Sequence, residues 1–248
     1  MKYIIGDIGN TSTKICILNY KFKIIKTLNF ETIKIFKKNF LKITLKNYLN
    51  KNFNPILLFS SVVPSAFKVI KKNFKYKNFK LFEIKDFNLK KIIKINVKNQ
   101  KQLGSDRIAN AIGAKKYKNC LILDFGTATT FDVLIKNTYH GGVIAPGVKI
   151  SLDALTVKAT QIPRINLKKM NKVIGLNTIS AVRAGFFWGY EGLIDNIIYL
   201  IKKETKKSFK IIVTGGFSDL FKNSIKTKVI LNKDITINGL IKANTLIK

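Results

Sequence analysis

The sequence predicts an α/β protein built as two mixed halves, and three observations predict it. The strand-turn-strand stretch "KYIIGDIGNTSTKICIL" near the start recurs as "LILDFGTATTFDVLI" at residues 121–135. Each copy is followed by alternating strand-like and helix-like apolar patterns. A third glycine turn, "VTGGFSD", closes a strand pattern and opens a helical one.

Taken in order, residues 3 to 8 and 13 to 20 read as strands joined by the turn "DIGNTS". Residues 31 to 53 place Ile33, Phe36, Phe40 and Leu49 as one apolar stripe and are expected to form an amphipathic helix. "PILLFSSVV" reads as a buried strand, after which Pro64-Ser65 opens a Lys-rich helix. "FKLFEI" is a short strand, and "LGSDRIANAIGAKKY" is a glycine turn entering a helix with Ser105 as the candidate cap. The pattern then restarts. "NCLILDFGTATTFDVLI" is strand-turn-strand, followed by the glycine-rich "HGGVIAPGVK". Ile179, Val182, Phe186, Tyr190, Leu193, Ile197 and Ile201 fall at three- and four-residue spacing, one long helix capped by Asn177 or Thr178. "FKIIVTGGFSDLF" is a strand running into a helix. The repeat suggests duplication, with lobes expected at 1–114 and 115–248 packed around a cleft.

Composition narrows the function. A chain of 248 residues with 46% apolar and 11% aromatic residues can bury a substantial core. The formal charge of +33 invites a nucleic-acid reading, but only three of the 46 basic residues, Arg107, Arg164 and Arg183, are arginines. Base readers and phosphate clamps favour the bidentate Arg fork, and here Lys is spread along the whole chain as a solvated coat. Abundant Lys, Ile, Asn and Phe share A/T-rich codons, so compositional drift accounts for the charge, and nucleic acid is not the expected partner. Cys16 and Cys120 are isolated thiols in apolar strands, as expected of small buried hydrophobes in a reducing compartment. His140 is the single histidine, which excludes His-rich metal sites and disfavours a Ser-His-Asp triad. The apolar run before Asp7 is short for a signal-peptide core, and no run is long enough to span a membrane. A cytoplasmic protein is expected.

The repeated turn carries the chemistry. A hairpin with Gly at its tip exposes backbone N–H groups that converge on an anion. Threonine hydroxyls add donors, and a neighbouring Asp can hold hydrated Mg²⁺ against phosphate oxygens. A single Asp-x-Gly reads first as a tight turn. Two copies with a Thr-Gly-Gly placed at a strand end point to an ATPase-type cleft.

These paired hairpins resemble those of the acetate and sugar kinase/Hsp70/actin superfamily. More closely, "DIGNTSTK", "SSVVP", "GSDR", "DFGTATTFD", "GGVIAPG" and the "NT" before a long helix resemble type III pantothenate kinases, in family order from residue 7 to about residue 216. The resemblance implies two ribonuclease H-like lobes around a nucleotide cleft. It also implies ATP-dependent phosphorylation of the 4′-hydroxyl of pantothenate, the entry step to coenzyme A, by a homodimer that requires a monovalent cation, K⁺ or NH₄⁺.

By the same resemblance, Asp7, Ile8, Gly9, Asn10, Thr11, Ser12, Thr13 and Lys14 form the first ATP-binding loop. Asp7 lies near Mg²⁺ and the phosphates, and Lys14 is either a phosphate contact or a surface lysine. Gly104, Ser105, Asp106 and Arg107 match the pantothenate segment. Asp106 is its proton acceptor and Arg107 a planar fork for a carboxylate or phosphoryl oxygen; read from the residues alone, Asp106 is equally a first-turn helix acid. Asp124 corresponds to the monovalent-cation ligand, Thr127 to a second ATP contact, and Thr178 to a pantothenate contact near the dimer interface. Phe186, Phe187, Trp188 and Tyr190 on the long helix suit either that interface or core packing. "GGVIAPG" would shape the cleft wall, and His140 receives no role. The chain departs from the family where Val97 and Gln100 replace a Tyr and a Pro, which puts one pantothenate contact in doubt. Competing readings are a kinase of another small alcohol, a nucleic-acid-associated accessory protein, and a decayed enzyme.

Overall fold

A computed structural model describes residues 3–48, 56–74 and 79–244. The chain divides into two compact units, Met1–Lys116 with Asp234–Lys248, and Tyr117–Lys233.

In the first unit, β1 (Tyr3–Ile8), β2 (Ser12–Leu18) and β3 (Ile24–Glu31) form an antiparallel meander. β4 (Ile56–Ser61) adds parallel to β1, and β5 (Lys80–Glu83) parallel to β4, giving the order β3-β2-β1-β4-β5. Parallel pairing demands long crossovers, which the helical segments supply. α1 (Phe40–Leu45) and α2 (Pro64–Phe74) cover one sheet face. Their core joins Ile4, Ile8, Ile15 and Phe59 from the strands to Leu41, Leu45, Ile70 and Phe74 from the helices. β6 (Lys94–Ile95) is a two-residue strand on the way to α3 (Ser105–Gly113).

The single helix expected over 31–53 is broken. A 3₁₀ turn covers Thr32–Phe36, α1 starts at Phe40, and Asn39 between them sits at φ 59°, a left-handed conformation that ends any α-helix. Leu49 of that stripe lies outside the described residues.

The second unit repeats the plan. β7 (Asn119–Phe125), β8 (Ala128–Ile135) and β9 (Thr138–Pro146) form a meander. α4 (Val148–Lys158) and α5 (Thr178–Thr205) follow, and then β10 (Lys210–Gly215), α6 (Ser218–Phe221) and β11 (Val229–Leu231). β10 is parallel to β7 and β11 to β10, so the order β9-β8-β7-β10-β11 and the strand directions match those of the first unit. The long helix is capped by Asn177, whose Oδ1 accepts from Ser180 N–H at 2.9 Å while Ser180 Oγ accepts from Asn177 N–H at 3.1 Å. Phe187 is buried in the core, with Phe186, Trp188 and Tyr190 packed against it, so these aromatics serve packing within the unit.

The last helix, α7 (Ile235–Asn244), belongs with the first unit, although residues 115–248 were expected to form one lobe. The reason is its contact with α3. A Cβ on Gly239 would stand 1.8 Å from the Ala109 carbonyl oxygen, and one on Gly113 would stand 2.2 Å from that of Ile235. Two glycines let the helix backbones touch, and Thr236 Oγ1 adds a hydrogen bond of 2.6 Å to Asn110 Oδ1. Cys16 and Cys120 are buried free thiols, and burial pushes the Cys120 thiol up to about 12. No described helix is long and apolar enough to cross a membrane.

Candidate active site

In the first unit the site begins where β1 ends. Asp7 lies opposite Lys14 on β2 and level with Ser60 on β4. Ser60 Oγ donates to Asp7 Oδ1 at 2.7 Å. Burial raises the Asp7 carboxyl to about 6; the Ser60 hydrogen bond opposes that rise, the Asp106 charge adds to it, and Lys14 opposes it. Asp7 and Asp106, a hundred residues apart in sequence, are therefore electrostatic neighbours.

The turn between β1 and β2 is closed by Gly9 N–H on the Ser12 carbonyl at 3.0 Å. Its floor is a threonine pair: Thr32 Oγ1 donates to the Gly9 carbonyl at 2.6 Å and meets the buried Thr13 Oγ1 at 2.9 Å. Ile8 is buried under the turn, whereas Asn10, Thr11 and Ser12 point outward. The hairpin thus presents three polar side chains on a fixed base. Lys14 Nζ makes an ion pair of 2.5 Å with Asp234 at the start of the α7 segment.

The Gly104–Arg107 segment forms the start of α3. Gly104, and not Ser105, is the N-cap, and no side chain caps the helix. Ser105 is already helical and is buried. Asp106 instead folds back: its Oδ1 accepts from Arg107 N–H at 2.7 Å, and a Cβ on residue 104 would meet that oxygen at 2.5 Å. Glycine leaves the room. Burial raises the Asp106 carboxyl, while the Arg107 amide and guanidinium pull it down. The result is a carboxylate held in place by helix-terminal amides and more basic than a solvated one, which suits a proton acceptor. Gln100 donates from Nε2 to the Ile95 carbonyl at 2.8 Å.

In the second unit, Asp124 sits near the end of β7, level with Thr130 on β8 and Thr214 on β10. The turn Gly126–Thr127 is closed by Gly126 N–H on the Ala128 carbonyl at 3.0 Å. Gly215 at φ 85° passes so close that a Cβ there would lie 2.5 Å from Asp124 Oδ1. The three motifs of this half, "DFGTATT", "GGVIAPG" and "VTGG", so become the second hairpin, its outer strand and the end of β10. Thr178 is the first residue of α5 and is exposed. His140 is exposed on β9. Among the described residues, no group of three or more His, Cys, Asp or Glu could hold a metal ion.

Ser60, Thr32 and Asp234 received no role from the sequence. Ser60 stood in the quoted "SSVVP", and a hydroxyl at a strand end beside a buried Asp was its signal. Thr32 and Asp234 reach the hairpin through β3 and α7, which no local pattern reports.

Two units with one strand order, each turning on a glycine between its first two strands, define a fold of the acetate and sugar kinase/Hsp70/actin class. A ROK family glucokinase from Streptomyces griseus, solved with glucose and AMPPNP, shares this fold with a TM-score of 0.55 at 12% identity, covering 99% of both chains. In sequence, the chain is 68% identical to a type III pantothenate kinase of Pelagibacter ubique over 252 aligned positions, 99% of each chain. It is 40% identical to one of Citrifermentans bemidjiense over 191 positions, 74% of each. The family model for type III pantothenate kinase matches residues 3–199. The chain belongs to the type III pantothenate kinase family.

Proposed function

We propose that this protein transfers the γ-phosphoryl group of ATP to the 4′-hydroxyl of pantothenate, the first step of coenzyme A biosynthesis. The observation that carries the reading is the 68% identity to a type III pantothenate kinase across 99% of both chains. The arrangement of Asp7, Lys14 and Asp106 in the first unit supports it.

In this reading the turn residues 8–13 and Lys14 hold ATP phosphates, as does Thr127 of the second unit. Gly104, Ser105, Arg107 and Thr178 bind pantothenate. Asp106 accepts the hydroxyl proton as the oxygen bonds to phosphorus and the bond to the ADP oxygen breaks, ADP leaving with the electron pair. A loose transition state lets that proton leave late, so orientation matters more than base strength. Mg²⁺ fits the donors present. It keeps most of its waters and takes one or two carboxylates, so Asp7 beside bound phosphates suffices without an acidic cluster. When bound, it would neutralise phosphate charge. Asp124 is the proposed ligand of K⁺ or NH₄⁺.

A homodimer is part of the proposal. In the second unit, Leu176 is 90% exposed, Ile174 80% and Val157 75%, exposed apolar side chains of the kind a second copy would cover.

The test is ATP consumption by the purified protein with and without pantothenate, in K⁺ and then Na⁺ buffer. Pantothenate-dependent turnover stimulated by K⁺ is expected, with the stimulation abolished in Asp124→Ala. No response to pantothenate in either salt would leave the fold and remove the substrate. An unchanged potassium titration in Asp124→Ala would remove that residue as the cation ligand.

A further inference from the structure

The two hairpins share a register but differ underneath. Thr13 pairs with Ile8 and Phe30 in the first, and Thr129 with Phe125 and Ala145 in the second, so Thr32 after β3 corresponds to Gly147 after β9. In the first unit the Thr32 hydroxyl bridges Thr13 Oγ1 and the Gly9 carbonyl. Glycine in the matching place has no hydroxyl to give, and Thr129 Oγ1 is buried without a hydrogen-bond partner. Close backbone contact takes over instead. A Cβ on Gly147 would lie 2.0 Å from the Thr127 carbonyl oxygen and 2.7 Å from that of Gly126, so the backbone at Gly147 is pressed against the turn. What holds Gly147 therefore holds the second hairpin.

Gly147 is the N-cap of α4, and its neighbours on both sides are tied to α5. The Tyr190 hydroxyl lies 3.2 Å from the Pro146 carbonyl and 2.8 Å from Ser151 Oγ. Ser151 N–H in turn donates to the Gly147 carbonyl at 3.0 Å. One phenol hydroxyl can donate to the carbonyl and accept from the serine, which satisfies both contacts. It thus ties the last residue of β9 to the first turn of α4 across Gly147. The Tyr190 ring is stacked on Phe186 with centroids 6.1 Å apart and tilted against Phe221 at 6.3 Å, in the middle of a 28-residue helix. The hydroxyl is consequently carried on a rigid element. Packing accounts for the ring but not for the hydroxyl, since phenylalanine would pack as well. We infer that Tyr190 is a positioning residue: by clamping Pro146 and Ser151 on either side of Gly147 it fixes the second hairpin, and through it the contact of Thr127 with ATP. This rests on the assignment of Thr127 to the ATP phosphates.

The experiment pairs amide hydrogen exchange with steady-state kinetics on the full chain. Tyr190→Phe keeps the ring and removes the clamp. Exchange across residues 126–128 is expected to quicken about fivefold, while that across residues 9–12, held by Thr32, stays within about twofold. The ATP KM is expected to rise about fivefold, with the pantothenate KM within about twofold. A mere loss of folded protein lowers kcat and moves neither KM. Ser151→Ala should shift both readings in the same direction. Adding it to Tyr190→Phe should cost less than about twofold more, the mark of one shared clamp. Exchange across residues 126–128 within about twofold of the parent in Tyr190→Phe overturns the inference. So does a pantothenate KM that rises as much as the ATP KM. Faster exchange beside an unchanged ATP KM removes Thr127 as the ATP contact, and the inference with it. Absence of pantothenate-dependent turnover in the parent removes the functional reading first, and the inference with it. A parent that turns over beside a Tyr190→Phe variant unchanged in both readings removes the inference alone.

Discussion

Asp106 and Asp7 show how much burial does for a carboxylate. Both are raised by desolvation, and the Asp106 charge adds to the rise at Asp7. As pH falls through about 6, Asp7 protonates and leaves fewer charges to hold a cation; Asp106, the proposed proton acceptor, is likewise raised by burial and protonates above the usual carboxylate range. Turnover should therefore fall on the acid side at a pH well above the usual carboxylate range, which a kcat/KM profile between pH 5 and 8 would check; a flat profile would contradict it. Asp106→Asn should retain both substrates in binding assays while kcat drops at least about 100-fold. Near-normal turnover there would sink the proton-acceptor assignment. The stability consequence has the opposite sign from an ordinary salt-bridged Asp. A folded pKa of about 6 against 3.8 means that the native state binds more protons between those values. Stability accordingly falls as pH rises through that window. Asp7→Asn should raise the thermal midpoint by a few degrees at pH 7.5 while turnover collapses, and a lowered midpoint would contradict the burial argument. Little of this was legible in the sequence. "DIGNTSTK" and "GSDR" announce two acids, but the field of Asp106 at Asp7 arises only in the folded chain.

Among the elements, hairpins were the most legible and edge strands the least. β1, β2, β7 and β8 announce themselves through apolar alternation around a glycine turn. β3 escaped because its exposed positions Lys26 and Asn29 dilute the apolar signal, and β9 because Gly141 and Gly142 hide it. The broken helix after β3 turned on one residue, Asn39, whose left-handed φ no periodicity reports. The crossing of α3 and α7 supplies a sharp prediction. Gly239→Ala would drive a methyl group into the Ala109 carbonyl, and separating two helix backbones should cost about 3 kcal/mol. Gly192→Ala on α5 meets nothing within 4 Å and should stabilise by about 0.5–1 kcal/mol through helix propensity. Urea denaturation of the two variants checks the contrast; equal effects would mean that the α3–α7 contact is looser than described.

The whole chain combines a fold specified by apolar pattern with a charge of +33 that the fold does not use. Most of the described lysines are exposed, and Lys14 beside Asp7 is held by Asp234. Sedimentation should give twice the chain mass, and charging the exposed apolar surface with Ile174→Lys and Leu176→Lys should shift it to one; a parent sedimenting as a monomer would discard the dimer. The sequence was enough for the α/β class, the two glycine-turn hairpins and the family, because strand alternation and glycine turns are local and each repeats. It could not assign α7 to the first unit, choose Gly104 over Ser105 as the cap, or pair Lys14 with Asp234. It also gave no sign that Ser60 holds Asp7. Those are contacts between residues far apart along the chain, and no local period encodes them. They are settled when the sheet sets its neighbours and two glycines let α7 dock on α3.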